Sequence, residues 1–244
     1  MATVMRKFVG QSRYGTLAQA LRERILQGEW VPGAAIPSEA LLSQSYGVAL
    51  GTIRQAVALL VQDGVLQRIH GRGTFVSNGL DGATMMRFFR FQDASRPQEA
   101  PISHILSTRI RKATRHESLT LGLADDTQVF QFERLRSLGH QPCLLENIVL
   151  PLPLFGPLAD LDSSEWGNLL YPLYQARCGV VIAQANDALS FAPLTANQAK
   201  RLQLKAGHPC VLVERQALDM RGNCVELRVT RGDAFSFKYT AHLR

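Results

Sequence analysis

Glycines divide the first third of the chain into short pieces, each of which carries an apolar pattern with helical spacing. Residues 14–26 repeat apolar side chains every three or four positions and are followed by Gly28, a typical helix stop. A second pattern begins after Ser38, a favourable N-cap residue, and ends before Gly47. A third begins at about Leu50 and also ends at a glycine. The spacing therefore predicts three short helices.

A glycine-rich hairpin is predicted directly after the third helix. Val65–Ile69 and Thr74–Ser77 have the composition of two short strands, and the residues between them include two glycines. Three helices followed by a hairpin describe a winged helix-turn-helix. In that fold one helix lies in the major groove of DNA, and another braces it across the backbone. The hairpin, or wing, can reach phosphates or the minor groove.

The distribution of charge agrees with a polyanionic partner. The chain has a net charge of +7, and residues 1–78 carry 8 Lys and Arg against 4 Asp and Glu. A basic and compact segment is typical of nucleic-acid binding. Charge alone fits general solubility equally well. A helical bundle whose polar face is only solvated is the alternative interpretation of the helical pattern.

The local sequence of this segment is more specific than its periodicity. Its motifs are, in chain order, Leu26–Gly33, Ile36–Glu39, Gly47–Val48, Thr52–Ala56, Asp63–Gly64 and Gly71–Val76. Together they resemble the GntR family of bacterial transcription regulators over residues 13–78. The resemblance implies that this domain binds double-stranded operator DNA. From their positions on the helices and the wing, we expect the following residues to bind DNA: Ser38, Thr52, Arg54, Gln55, Arg68, His70, Gly71 and Arg72.

The chain departs from this family at two positions that read DNA. Many members carry an arginine directly after the Ser-Glu pair, where this chain has Ala40. Many carry Ser-Arg at the start of the recognition helix, where it has Ala49 and Leu50. Arginines there can donate to guanine edges. We therefore expect an operator that differs from the usual family half-site; a degraded DNA-binding domain is the less favoured alternative.

The remainder of the chain has a different pattern. We interpret residues 1–12 as a flexible arm, 13–78 as the winged helix-turn-helix, 79–98 as a linker that begins the second domain, and 99–244 as the second domain. In the second domain, strand pairs joined by tight turns alternate with a few helices, one of them predicted over Glu165–Arg177. This pattern favours an antiparallel sheet with helices, and the fold class is therefore α+β.

Composition limits the possible environment and cofactors. Four widely spaced cysteines, without a C-x-x-C pair, indicate reduced thiols in a cytoplasm rather than a zinc site or a disulfide framework. No run approaches the ~20 apolar residues that span a bilayer, so no membrane association is expected.

Two arginines of the second domain are candidate ligand-binding residues. Arg134 and Arg136 are two positions apart on a predicted strand, so both lie on the same side of it. A turn near residues 139–142 brings the next strand back and places Glu146 roughly opposite Arg134. This arrangement is either a surface ion-pair ladder, worth about 0–1 kcal/mol per pair, or an anion site. The second interpretation rests on the shape of the guanidinium group, whose paired N–H donors match the oxygens of carboxylate and phosphate groups.

The second domain resembles the UTRA effector-binding domain, which shares the fold of chorismate lyase, over residues 85–244. The matching segments are Phe132–Arg136, Pro142–Glu146, Leu150–Pro151, Leu170–Tyr171, Cys178–Gly179, Leu202–Leu204, Gly207–Pro209 and Val225–Glu226. A GntR head on this domain is typical of the HutC-like branch. The resemblance implies an effector site formed by Phe89, Arg90, Arg134, Arg136, Glu146, Tyr171, Glu226, Arg228 and Tyr239.

Two positions of the effector site differ from the family or are ambiguous. Relatives that bind phosphate carry a serine two residues before the helix tyrosine, where this chain has Leu169. This difference puts a phosphosugar ligand in doubt. Near the C-terminus, an alternative alignment replaces Glu226 with Cys224 as the site residue.

The sequence therefore predicts a transcription regulator, a repressor by analogy, whose operator affinity is controlled by a small anionic metabolite. We expect a homodimer, because helix-turn-helix proteins usually present two recognition helices to two half-sites. We expect no catalytic residue, metal or cofactor. The alternative from another class is an enzyme similar to chorismate lyase, fused to a DNA-binding head.

Overall fold

The fold is known from a computed structural model, which describes residues 13–77, 89–91 and 101–239, with the backbone alone at 89–91, 163 and 237–239. The described residues divide into two units. One holds residues 13–77, and the other holds nearly all of the remainder. The predicted arm and most of the predicted linker lie outside the described residues.

The first unit contains the predicted helices and hairpin. Its elements are α1 (Arg13–Leu26), α2 (Glu39–Tyr46), α3 (Leu50–Gln62), β1 (Leu66–Ile69) and β2 (Gly73–Val76). The two strands pair in antiparallel register around the glycine-rich tip. The prediction of a winged helix-turn-helix is confirmed.

Apolar side chains of α1 and α3 form the core of this unit. Leu17 and Leu21 of α1 are fully buried, as are Ile53, Val57 and Leu60 of α3. Each helix repeats these residues at intervals of three or four, so each presents one apolar face. Packing of the two faces fixes α3 within the unit and leaves its opposite face to solvent.

The turn between α2 and α3 requires a glycine. Gly47 adopts the left-handed conformation with a φ of 62°, which side chains with a β-carbon rarely adopt. The following residue, Val48, donates its backbone N–H to the carbonyl of Ser43 at 3.2 Å. This closure ends α2 and reverses the chain into α3.

The second unit is built on an antiparallel sheet. Its elements are β3 (Phe89–Phe91), β4 (Ile102–Lys112), α4 (Arg115–Leu121), β5 (Gln128–Leu138), β6 (Gln141–Pro151), α5 (Leu152–Ala159), α6 (Leu170–Cys178), β7 (Ile182–Pro193), α7 (Ala196–Leu202), β8 (Pro209–Asp219), β9 (Cys224–Asp233) and β10 (Phe237–Tyr239). Among the described residues, six strands form one sheet in the order β4-β5-β6-β9-β8-β7. The short strands β3 and β10 pair with each other. The α+β prediction is confirmed.

Helices pack on both faces of the sheet. Two aromatic side chains of β5, Phe130 and Phe132, pack with Phe155 of α5 and Tyr174 of α6 on one face. On the other face α4 and α7 pack at separate places. Both of these helices begin with a capping box, formed by Thr114 with Glu117 in α4 and by Thr195 with Gln198 in α7. Neither α4 nor α7 supplies a side chain to the effector site described below.

The prediction of one helix over Glu165–Arg177 is wrong. A single 3₁₀ turn covers Ser163–Glu165, and α6 begins only at Leu170. Between them, Trp166 is turned inward, and its ring centroid lies 4.8 Å from that of Phe132. The glycine that follows Trp166 also disfavours a continuous helix. Helix α5 was not predicted at all. None of the helices in the described part of the chain is long and apolar enough to cross a membrane.

The core beneath α5 and α6 gives a direct test of the fold. Leu150 is fully buried there. Replacing it with alanine is expected to lower the free energy of unfolding by about 2–5 kcal/mol, because the substitution leaves a cavity. Leu119→Ala is the matched control, since this side chain is 75% exposed, and should change stability by about 0.5 kcal/mol or less. Urea unfolding followed by circular dichroism measures both; equal losses would contradict the assignment of the core.

Candidate functional site

Charged side chains from five strands, β5 to β9, meet on the sheet face that α6 covers. Arg134 lies opposite Glu146 in the register of β5 and β6, as the sequence predicts. Glu146 in turn lies opposite Thr230, two residues from Arg228 on β9. Arg228 lies opposite Arg215 of β8. Because side chains alternate along a strand, these residues share one face.

A buried carboxylate joins the first two arginines. Arg134 Nε donates to Glu146 Oε2 at 2.6 Å, and Arg228 Nη1 donates to Glu146 Oε1 at 3.4 Å. Arg134 and Arg228 are 2% and 3% exposed, and Glu146 is fully buried. The interpretation as a surface ion-pair ladder is therefore wrong.

The neighbouring arginines lower the pKa of Glu146. Desolvation of this buried carboxyl acts to raise its pKa, since burial disfavours the charged form. The three arginines Arg134, Arg228 and Arg136 outweigh desolvation and bring the pKa to about 2. Glu146 is therefore a carboxylate at neutral pH, and it neutralises part of the positive charge on this face.

Glu226 is a second buried carboxylate and holds Arg228 from the other side. Arg228 donates to it through Nε at 3.0 Å and through Nη2 at 2.8 Å. Tyr174 donates its hydroxyl to Glu226 at 2.7 Å, and Tyr171 does so at 3.4 Å. Cys224, which the alternative alignment puts in place of Glu226, packs among apolar residues of the α4 cluster.

Three members of the network were missed by the sequence analysis. Arg215 donates through Nε to Asp187 at 2.6 Å and through Nη1 to the hydroxyl of Tyr171 at 3.3 Å. Tyr174, the third missed residue, belongs to the same network through Glu226. Burial, together with Glu226, raises the pKa of Tyr171 to about 12, so its hydroxyl stays protonated and able to donate. A lone arginine on a strand gives no sequence signal of burial, which explains why Arg215 was missed.

A cleft opens beside this network at the N-terminus of α6. The cleft is small, with an accessible volume of about 10 Å³. Its walls are formed by Arg134, Arg136, Asn168, Leu169, Leu170, Tyr171 and Arg228. Two buried guanidinium nitrogens, Arg134 Nη1 and Arg136 Nε, have no hydrogen-bond partner among the described residues. Burial lowers the pKa of Arg136, an effect that Glu146 opposes. The cleft thus offers two unsatisfied cationic donors to a ligand.

Five of the predicted effector residues take part directly in this network, and Arg136 lines the cleft beside it. The positions of the other three predicted side chains are not described. The side chains of Phe89, Arg90 and Tyr239 lie outside the described residues. Their backbones belong to the pair of β3 and β10, in which Phe89 lies opposite Tyr239.

In the first unit, an acidic residue organises two of the predicted DNA-binding arginines. Arg54 of α3 donates to Glu39 at 3.1 Å, and Arg68 of β1 donates to the other oxygen of Glu39 at 2.9 Å. The side chains of Arg54 and Arg68 are 64% and 50% exposed. Sequence analysis treated Glu39 only as part of a motif. The pairing brings α2, α3 and the wing together at one exposed basic surface.

The other predicted DNA-binding residues lie on the same elements. Ser38 caps α2, where its hydroxyl accepts from the backbone N–H of Leu41 at 3.3 Å. At the wing tip His70 is exposed, Gly71 has a φ of 70°, and the guanidinium of Arg72 lies 5.5 Å from the ring centre of Phe75. On α3, the remaining two positions are Thr52, which is half-buried, and Gln55, which is exposed.

In the part of the chain that the structure describes, no three His, Cys, Asp or Glu side chains are placed to hold a metal ion.

Comparison with known proteins identifies both units. Residues 13–76 match the model of the bacterial regulatory proteins of the gntR family, and residues 98–238 match the UTRA domain. The chain belongs to the GntR family. Its UTRA domain places it with the HutC-type transcription regulators, as the resemblance implied.

Individual relatives of this GntR-family protein cover nearly its whole length. It is 30% identical to an HTH-type transcriptional regulator of Mycobacterium tuberculosis, over 92% of this chain and 84% of that one. It is 27% identical to the HTH-type transcriptional repressor NagR of Bacillus subtilis, over 92% of both chains. The crystal structure of PhnF from Mycobacterium smegmatis shares the fold, with a TM-score of 0.56 and 22% identity over 93% of this chain and 99% of that chain.

The lowered pKa of Glu146 predicts a loss of stability in acid. Its folded pKa of about 2 lies below the ordinary value of 4.5. The stabilisation is therefore complete above about pH 4.5 and is lost as the pH falls towards 2. Between about pH 7 and pH 3 the wild-type protein should lose about 2 kcal/mol more stability than Glu146→Gln, in which this group does not titrate. Urea unfolding at each pH measures the difference; parallel pH profiles would contradict it.

Proposed function

We propose that this GntR-family regulator is a repressor whose affinity for operator DNA is set by a small anionic metabolite bound at Arg134 and Arg136. The observation that carries the proposal is the pair of unpartnered guanidinium nitrogens in the cleft beside α6. A buried donor without a partner costs about 1–3 kcal/mol. A bound anion removes this cost, and the planar arginine fork suits its oxygens.

The network behind the cleft prepares it for such a ligand. Glu146 and Glu226 fix the orientation of Arg134 and Arg228 through buried hydrogen bonds, so these side chains lose little further freedom when a ligand binds. Tyr171 and the residues that precede it close one wall of the cleft. The proposed effector residues are therefore those that face the cleft, and both glutamates and Arg215 act through them.

The basic surface of the first unit supports the DNA-binding half of the proposal. Its exposed arginines, Arg54, Arg68 and Arg72, lie on the elements that enter or flank the grooves in winged helix-turn-helix domains. The curated relatives named above are transcription regulators, one of them a repressor. Both facts favour regulation over the chorismate-lyase-like alternative.

Linkage between the two sites follows from thermodynamics. An effector that prefers one arrangement of the dimer changes operator affinity by its differential binding, commonly about 1–3 kcal/mol. The operator can be found by selection from random DNA. Fluorescence anisotropy of that operator, titrated in the presence of a panel of carboxylates and phosphate esters, then tests the proposal. A panel that binds the protein but leaves operator affinity unchanged would contradict it.

Arg54 provides a test of the DNA surface. Arg54→Ala is expected to weaken operator binding by about 1–3 kcal/mol, or about 5- to 150-fold, because a charged contact is lost. Arg115→Ala removes the same charge from an exposed position in the other unit and should leave affinity nearly unchanged. Anisotropy titrations at one fixed salt concentration compare the two; equal effects would remove Arg54 from the DNA contacts.

Arg136 provides a test of the effector half. Arg136→Gln should retain operator binding in the absence of effector but lose most of its response to the active member of the panel, by about tenfold or more in effector affinity. Arg109→Gln is the control, because this exposed arginine lies on the neighbouring strand and hydrogen-bonds Gln131 on the other face of the sheet. An unaltered response of Arg136→Gln would place the effector elsewhere.

A further inference from the structure

We infer that the effector carries a single negative charge on a carboxylate and is not a phosphate ester. This inference rests on the proposed function, since it concerns the same cleft. It follows from three observations: the balance of charge around the cleft, the one arginine that has no acid to neutralise it, and the polar atoms that lack partners.

The charge of the network is not balanced. Four guanidiniums lie buried on this face of the sheet, those of Arg134, Arg136, Arg215 and Arg228. Three carboxylates pair with them, those of Glu146, Glu226 and Asp187. Within the described residues, the network therefore carries one excess positive charge.

The excess charge belongs to one residue. Arg134 pairs with Glu146, Arg228 with both glutamates, and Arg215 with Asp187. No carboxylate of the described residues forms a salt bridge with Arg136, although only 3% of its surface is exposed. A buried and unpaired charge is costly. One carboxylate beside Arg136 would neutralise the whole network.

A phosphate monoester is a poorer match for this balance. Near neutral pH it carries about −1.5 to −2 charges. Bound in the cleft, it would change the net charge of the network from +1 to about −0.5 to −1. Buried charge of either sign is unfavourable without a partner, so the network favours a monoanion.

The unsatisfied donors also match a group with two oxygens. Arg134 Nη1 and Arg136 Nε lack partners, as does the hydroxyl of Ser103, which lies opposite Arg136 in the strand register. At the N-terminus of α6 no side chain caps the helix, and Asn168 Oδ1 accepts from the backbone N–H of Ser103 at 2.9 Å. These few donors suffice for the two oxygens of a carboxylate.

Matched pairs of small anions test the inference on the full-length protein. Suitable pairs are acetate with methyl phosphate, benzoate with phenyl phosphate, and glucuronate with glucose 6-phosphate. All are measured at about pH 7.5 and equal ionic strength, since a phosphate ester is then mostly a dianion. Thermal shift and calorimetry measure binding. We expect at least one carboxylate to bind about tenfold or more tightly than its phosphate partner. Tighter binding of the phosphate members would overturn the inference but leave an anionic effector in place. Binding of no member of any pair would overturn the proposed function itself.

A charge variant separates the charge balance from the shape of the cleft. Asp187→Asn raises the excess charge to two while the residue keeps its size, and its carboxylate is partly exposed, so the variant is expected to fold. Its preference for the carboxylate member should fall several-fold. Asp126→Asn removes an exposed carboxylate of the same domain and should keep the wild-type preference. An unchanged preference in Asp187→Asn would show that charge balance does not select the ligand.

Discussion

The hydrogen bonds of Arg228 to two buried carboxylates allow a charged sheet face to be covered by a helix. Arg228 lies between Glu146 and Glu226, within 3.4 Å of both. Removal of any one of these charges from water is costly, and only pairing with good geometry offsets that cost. Tyr174 of α6 completes the coordination of Glu226 from above the sheet. The position of α6, and with it the wall of the cleft, therefore depends on this set of interactions.

The two units use arginine in opposite ways. In the sheet of the second unit the guanidiniums are almost fully buried, so their orientation is fixed and their interactions are little screened by salt. In the first unit Arg54 and Arg68 are half or more exposed and share a single acid, Glu39. Exposed pairs of this kind contribute little stability. They can therefore exchange Glu39 for a phosphate at low cost, which suits a surface that meets and leaves DNA.

Sequence patterns predicted those features that depend on local rules. The three helices and the wing follow from glycine positions and apolar spacing, and the pairing of Arg134 with Glu146 follows from the length of one turn. The break before α6 was missed because the inward position of Trp166 is a tertiary effect, which overrides the helical pattern around it. The side chain of Arg215 contacts residues of two other elements, β7 and α6, and no spacing within β8 encodes these contacts. The roles of the predicted effector and DNA-binding residues stay predictions.

The incomplete satisfaction of the cleft has a consequence for regulation. A fully paired network would be more stable but would gain nothing from a ligand, because every donor would already have its acceptor. In this cleft, Arg134 Nη1, Arg136 Nε and the hydroxyl of Ser103 have no acceptor among the described residues. In the proposed function, the effector shifts operator affinity only by the difference between its affinities for the two states of the protein. The unsatisfied donors that lower the stability of the unliganded domain are therefore the same donors to which the proposed effector binds.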